Sequence, residues 1–223
     1  MTENVTVHSQ KPSSSDQNTL LDQELNQDQD QNTPLPISQL KIKFNDFLSK
    51  INKDNFHKAL EIVEWISIQL DLHDKAMQYR HQKHNDKNKC HPIRPVRGEI
   101  YMAELGSNVG SEFNSWHPVL IIQNDRGNTY SEKTIVLPMT GYKQNKRYDK
   151  NIYHKIYPDD FDEGQPNKIS LVKIADITTI DKARLGRKVG KLNDHVMKMI
   201  TDKLRKHLAI RTCQNKPGQT ALR

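Results

Sequence analysis

The chain has 223 residues, with 34 Lys and Arg against 27 Asp and Glu, for a formal charge of +7. No apolar run approaches the ~18 to 20 residues a bilayer-spanning helix needs, and Met1 is followed by polar residues instead of a charged start and apolar signal core. This excludes a transmembrane class and predicts a soluble, cytoplasmic protein; the two cysteines, Cys90 and Cys213, sit in polar segments without repeated spacing, which excludes a disulfide framework.

Charge is spread unevenly. From Met1 to Gln31 there is one basic residue, Lys11, and six acidic ones, giving −5, so the remainder carries +12. A surplus of that size suits a polyanion such as RNA, or an acidic partner. Many basic soluble proteins bind no nucleic acid, so charge by itself leaves both readings open.

Residues 1–36 are rich in Gln, Asn, Asp, Ser and Thr and hold almost no branched apolar or aromatic side chains. Such a segment cannot bury enough surface to offset the entropy of ordering it, which predicts a disordered acidic tail. From Ile37 to about Arg80 apolar residues return at helical spacing: Leu40, Phe44, Phe47 and Leu48, then Phe56, Leu60, Val63, Ile66 and Leu70. Two amphipathic helices broken near Asn52 to Asn55 are expected, their stripes packing on the rest of the chain, on a second copy or on another protein.

Met77 to His91 reads as a polar, basic connector, closing an extension that spans 37–91. Its His81, His84, Cys90 and His91 are zinc-ligand types, and His81 and His84 can share a helical face, but no paired ligand motif accompanies them. No metal site is expected. Pro92 and Pro95 interrupt any helix and open a domain over 92–210.

Within that domain the pattern changes to short β-branched runs separated by Gly, Asn and Asp. Ile100 to Leu105, Val119 to Gln123, Thr134 to Met139, Ile152 to Ile156, Ile169 to Ile174 and Ile177 to Ile180 are the candidate strands. Asn193 is placed to cap a last helix with Val196, Ile200, Leu204 and Leu208 as its buried stripe. Residues 211–223 are polar, contain Pro217 and Gly218, and read as a frayed tail.

Two blocks in this domain carry a family resemblance. Arg97 to Asp125 reads RGEIYMAELGSNVGSEFNSWHPVLIIQND, and Ile177 to Gly186 reads ITTIDKARLG. Together, over about Pro95 to Ile210, they resemble the MazF/PemK family of bacterial toxins, metal-independent endoribonucleases that cut RNA inside the chain. The resemblance implies a mainly β fold with α: a small SH3-like β-barrel of the MazF, PemK and CcdB kind with a C-terminal helix, here preceded by the helical N-terminal extension. It also implies RNA and a cognate antitoxin protein as partners, a homodimer, no cofactor, and products ending in a 2′,3′-cyclic phosphate and a 5′-hydroxyl.

Metal-free cleavage needs a base for the 2′-hydroxyl, a donor or cation for the phosphorane, and an acid for the departing 5′-oxygen. In the family an Arg before the proline of the second strand and a Thr closing the third strand are the functional pair. They map to His117 in SWHPVLIIQ and Thr140 in TIVLPMTG, so the cation is replaced by a titratable ring. Imidazole can serve both proton transfers, whereas guanidinium is a permanent cation. A His between Trp and Pro is also a common packing residue, and a strand-end Thr is commonplace.

The loop from Gly106 to Trp116 is expected to lie over substrate, because the family uses it for RNA and for blocking by antitoxin. Ser111 and Glu112 match the family's Ser-Glu step. Glu112 can orient His117, contact a ribose, or simply cap the loop; Phe113 and Trp116 can stack on an unpaired base or pack on a partner subunit. Downstream of Thr140, Tyr142, Lys143, Lys146 and Arg147 combine aromatic faces with positive charge, as single-stranded RNA binding requires, though such a run can equally be a solvated loop. Arg184, Arg187, Lys188 and Lys191 read as peripheral. The reading that follows is a sequence-selective endoribonuclease of a type II toxin–antitoxin pair. Its rivals are a non-catalytic RNA- or protein-binding module on the same fold, the arginine having been lost, and a gyrase-directed protein of this fold.

Overall fold

The computed structural model describes residues 36–164, 166 and 168–210, and it separates into two compact units between Lys53 and Asp54. Apart from Pro36, the tail expected at 1–36 lies outside the described residues, as does the one expected at 211–223. The first unit contributes α1, Ile37–Ser49, which buries none of its residues. Phe44 and Phe47, one turn apart, bring their rings to 5.9 Å, and Lys50 pairs with Asp46 at 2.8 Å in the last turn.

The second unit begins with α2, Phe56–Asn85, a helix of 30 residues. The break between the helices falls where the sequence placed it, but α2 runs on through most of the stretch expected to be a connector. Lys, Gln, Met and Arg from Met77 onward have good helix propensity, and basic Lys83 and His84 complement the negative end of the helix. Asp86 then ends it, its Oδ1 accepting from Asn88 N at 2.9 Å and Cys90 N at 3.0 Å. Only Ala59 of α2 is buried, and the stripe Leu60, Val63, Ile66 and Leu70 is exposed. The helix is held to the following domain by other side chains: Lys75 Nζ donates to Ala183 O at 2.9 Å, Arg80 pairs with Glu132 at 3.1 Å, and Tyr79 meets His91 edge-on at 5.5 Å.

The domain itself is one curled antiparallel sheet, a half-barrel, with a helix after it. Its strands are β1 (Glu99–Glu104), β2 (Trp116–Ile121), β3 (Lys133–Gly141), β4 (Tyr153–Ile156), β5 (Phe161–Glu163), β6 (Ser170–Lys173), β7 (Thr178–Asp181) and β8 (Leu185–Leu192). They pair in the order β4-β6-β3-β2-β1-β8-β5, with β7 on β3. A short helix α3, Asp125–Tyr130, capped by Asn124 Oδ1 accepting from Gly127 N at 2.7 Å, links β2 to β3. The six strands read from the sequence are present; β5 and β8 had no such reading, because β8, LGRKVGKL, holds two glycines and three cations where β-branched alternation would be expected.

Alternation divides the apolar residues between two faces of the sheet. Ile100, Leu120, Leu137, Met139, Val172 and Leu192 form one cluster, closed by Val196, Met197, Ile200 and Leu204 of α4, Asp194–His207. Ala103, Val119, Ile121, Val136, Ile180 and Leu185 form the other. The register Ile100↔Leu120↔Leu137 and Tyr101↔Val119↔Pro138 keeps the two sets apart, and a slip by one residue would exchange them. Asn193 caps α4 as expected, its Oδ1 accepting from Val196 N at 2.9 Å. The expected stripe needs one correction: Leu208 is 45% exposed, because α4 ends at His207 and Leu208 turns out of the helix, and Met197 takes its place inside.

Candidate functional site

The β1–β2 loop is built around Asn108. Its N–H donates to Asn114 Oδ1 at 2.5 Å, and its Nδ2 donates to Leu105 O at 2.9 Å and Phe113 O at 2.7 Å. At the root Leu105 N donates to Ser115 O at 3.0 Å and Ser115 N to Gly106 O at 2.7 Å. Gly106, with φ of +92°, lets the chain leave β1 at that angle, and Ser115 at +59° accepts the left-handed conformation on the return. Glu112 is exposed and caps the loop, its Oε2 accepting from Val109 N at 3.3 Å. Ser111 is exposed beside it.

His117 is half-buried on β2 opposite Ala103 of β1. Its Nδ1 is buried without a hydrogen-bond partner, which among the described residues it shares only with Ser107 Oγ. The ring stands nearly perpendicular to Phe113, centroids 4.9 Å apart, and Lys173 Nζ lies 5.2 Å from the same Phe113 ring while pairing with Asp176 at 2.5 Å. Phe113 thus meets both an imidazole and a cation. Half-buried Thr140 is near the end of β3, beyond the last residues that β3 pairs with β2, Val119↔Pro138, and is itself paired with Leu171 of β6.

Beside them is a cavity of about 690 Å³. Leu105 and the loop supply one side, with Asn108, Ser111, Glu112 and Phe113; β3 supplies Lys133 and Pro138; Lys173, Asp176, the run Ile177 to Asp181, and Arg184 complete it. Neither His117 nor Thr140 is on its wall; Phe113, which is, touches the His117 ring. Arg184, expected to be peripheral, is instead a wall residue whose Nη1 donates to Leu105 O at 3.0 Å; burial pushes its pKa down, against the charges of Glu104 and Asp181. Lys173 was not singled out from the sequence. Its only signal was a cation at the end of an apolar strand, SLVK.

The basic and aromatic run after Thr140 builds a second cavity, of about 570 Å³, sharing no residue with the first. Tyr142 and Lys146 line it with Tyr148, Tyr153, Lys155 and Lys203, while Lys143 and Arg147 are exposed outside its wall. Tyr142 and Tyr148 lie 5.5 Å apart, Tyr148 and Tyr153 5.2 Å, and Lys155 Nζ sits 3.9 Å over Tyr142. Lys203 donates to Lys150 O at 2.8 Å and Tyr153 O at 3.0 Å, and burial, then Lys150, lowers its pKa. Trp116 is elsewhere: on the face of β2 opposite His117, 53% exposed, its ring so close to Gly186 of β8 that a Cβ there would stand 2.8 Å from it. His81 and His84 are exposed on α2 while His91 is buried against Tyr79, so these three are not gathered.

Residues 96–208 match the family model described as PemK-like, MazF-like toxin of type II toxin-antitoxin system. This chain belongs to that family. The chain is 34% identical over 114 residues to Endoribonuclease EndoA of Bacillus subtilis, an alignment covering 51% of this chain and 94% of the relative. With Endoribonuclease MazF of Staphylococcus saprophyticus it shares 33% over 119 residues, 53% of this chain and 95% of that one. A solved endoribonuclease from Mycobacterial species superposes with a TM-score of 0.41 at 22% identity, covering 52% of this chain and 92% of that chain. The PemK-like, MazF-like match begins at the root of β1, so α1 and α2 lie before it. No helix among the described residues is long and apolar enough to cross a membrane.

Proposed function

We propose that this protein is a cytoplasmic toxin of a type II toxin–antitoxin pair, a homodimer that cleaves single-stranded RNA at selected sequences without a metal or cofactor and is held in check by a cognate antitoxin protein. Two relatives named endoribonucleases, matched over nearly their whole length, support the reaction class. The observation that carries the site is His117, its Nδ1 buried and unpartnered and its ring against Phe113 of the cavity wall.

In this reading RNA enters the cavity under the β1–β2 loop and displaces the Phe113 ring from His117. The imidazole takes the 2′-hydroxyl proton and returns one to the 5′-oxygen, leaving a 2′,3′-cyclic phosphate and a 5′-hydroxyl. The Thr140 hydroxyl donates to a phosphate oxygen and holds the in-line geometry. Lys173 and Arg184 supply the permanent charge that an imidazole cannot, stabilising the phosphorane. Phe113, Ser111 and Glu112 contact the nucleotide in the cavity, and Tyr142, Lys143, Lys146 and Arg147 hold the strand beyond it, Tyr142 by stacking. Trp116, remote from the cavity, serves the subunit contact.

The purified protein and its His117→Ala and Thr140→Ala variants, incubated with a long RNA in EDTA, test this. Wild type is expected to cut and to leave cyclic ends, and each variant to lose about 10²-fold or more in rate while remaining folded. Near-normal cleavage by folded His117→Ala would remove the histidine from the chemistry. RNA binding with no cutting by wild type would select the non-catalytic module.

A further inference from the structure

We propose that Trp65 of α2 is a positioning residue for the β1–β2 loop, so that a helix lying before the family-matched span helps set the shape of the substrate cavity. The indole is pressed on the loop's root: a Cβ on Gly106 would stand 2.8 Å from Trp65 Cζ2. Gly106 fastens both sides of that root, its O accepting from Ser115 N at 2.7 Å and its N donating to Glu104 Oε1 at 3.0 Å. On the same ring lies the Arg184 guanidinium, 5.1 Å from the ring centroid, which donates to Glu104 O at 3.2 Å and Leu105 O at 3.0 Å and also lines the cavity. Trp65 therefore touches the loop's hinge and the cation that pins the end of β1. Planar guanidinium stacked on indole is a favourable and orienting contact, which a flexible side chain at 65 could not supply.

Two further observations separate this role from a packing role and from an obstructing one. The apolar stripe of α2 is exposed, so the helix is not docked as a core element; it is pinned to the turn before β8 by Lys75 and to Glu132 by Arg80, which holds Trp65 on a fixed scaffold. No residue of α2 lines either cavity, so the helix does not plug the site. A ring that braces a loop from behind acts on how substrate is bound, and through Arg184 on one cation of the cavity wall.

The experiment uses the full chain with Trp65→Ala and Trp65→Phe and reads backbone hydrogen exchange together with cleavage kinetics; only the kinetic arm rests on the ribonuclease reading. In Trp65→Ala, exchange of the Leu105, Gly106 and Ser115 amides is expected to quicken by about tenfold relative to that of Val119 to Ile121 in β2, because local opening at the root becomes easier without global unfolding. Trp65→Phe, which keeps a ring, should restore most of the protection. For RNA, kcat/KM should fall about fivefold or more in Trp65→Ala, mainly through a raised KM from the loosened loop and to a smaller extent through kcat, since Arg184 loses the ring it lies on. Loop and β2 amides quickening in step would reduce Trp65 to a structural contact and overturn the proposal, as would an unchanged loop. If wild type cuts no RNA, the ribonuclease reading falls while the exchange arm still decides Trp65. Should Trp65→Ala fail to fold, Trp65→Leu, apolar but without a face for Arg184, is read on the same amides.

Discussion

Removal of the N-terminal region at two neighbouring points should give two distinct stabilities. A chain beginning at Asp86 loses α2 but keeps the turn in which Asp86 Oδ1 accepts from Asn88 and Cys90. Half-buried Trp65 contributes about 1 kcal/mol on an area basis. The Lys75 bond to Ala183 O adds about 1 kcal/mol, and the Tyr79–His91 edge contact at 5.5 Å about another. The Arg80–Glu132 pair, 49% and 32% exposed, adds less than about 1 kcal/mol once solvent screening is counted. A loss of about 3 to 4 kcal/mol against a typical ~5 to 15 leaves the domain folded, with its Tm lowered by roughly 10 °C. A chain beginning at Pro92 loses His91 as well, which is 1% exposed, donates its N–H to Thr129 O at 2.8 Å and accepts from Ile93 N at 3.0 Å on Nδ1. Leaving both partners unpaired costs about 2 to 4 kcal/mol more, so the shorter chain should melt roughly a further 5 to 10 °C lower. Thermal melts of the three chains followed by circular dichroism decide it. An Asp86 chain that does not fold would show that α2 belongs to the core, and coincident melts of the two truncations would refute the weight placed on His91.

Burial, then the charge of Lys203, holds His154 below its ordinary 6.5, and burial, then Lys182, does the same for His91. Both neutral rings therefore contribute stability that is fully present above about pH 6.5 and is lost as the pH falls through the folded values, so His154→Gln should flatten the acid side of a Tm–pH series between pH 7 and 4. Burial pushes the Lys182 ammonium down to about 8 while its Nζ donates to Asn128 O and Ser131 O at 2.5 Å each. Lys182→Met should cost about 2 kcal/mol or more at pH 7 by stranding two carbonyls, and a widening gap is expected as the pH is raised toward 10, since wild type alone gains stability once the unfolded lysine is the better proton binder. A constant gap across that range would show that the folded pKa is not depressed.

The barrel strands with β-branched alternation were legible because one face of each is buried on α4 and the other on the second cluster. Where a strand is set by its neighbours, the sequence was mute: β8 carries Gly186 and Gly190 because the Trp116 ring and the Glu163 carbonyl stand where a Cβ would be, so the local pattern lacks the side chains that identify a strand. The α2 stripe shows the converse. Its period predicted a helix correctly, but periodicity says nothing of which face meets the domain, and the side chains that do so, Trp65, Lys75, Tyr79 and Arg80, are aromatic and charged. For the site, motif spacing brought out His117, Thr140 and the loop. It could not bring out Arg184 or Lys173, which reach the cavity from the turn before β8 and the end of β6, nor Asn108, which organises the loop through three hydrogen bonds that no spacing rule encodes.

The exchange of arginine for histidine at 117 is coherent with the rest of the cavity in the proposed reading. Guanidinium is long, planar and permanently charged, and would supply both positioning and charge from one side chain. Imidazole is shorter, and at 117 it sits against Phe113 with an unpartnered nitrogen, so in this reading it supplies proton transfer and little else. The missing charge has two sources already on the wall. Lys173 lies against the same Phe113 ring, and Arg184 is fixed to the end of β1 through Glu104 O and Leu105 O. Phe113 contacts both Lys173 and His117, so a nucleotide that takes the place of its ring meets the base and the cation together. In that arrangement the roles carried by one arginine are divided between a histidine on β2 and cations on neighbouring elements, and the second of those cations is the one that rests on Trp65.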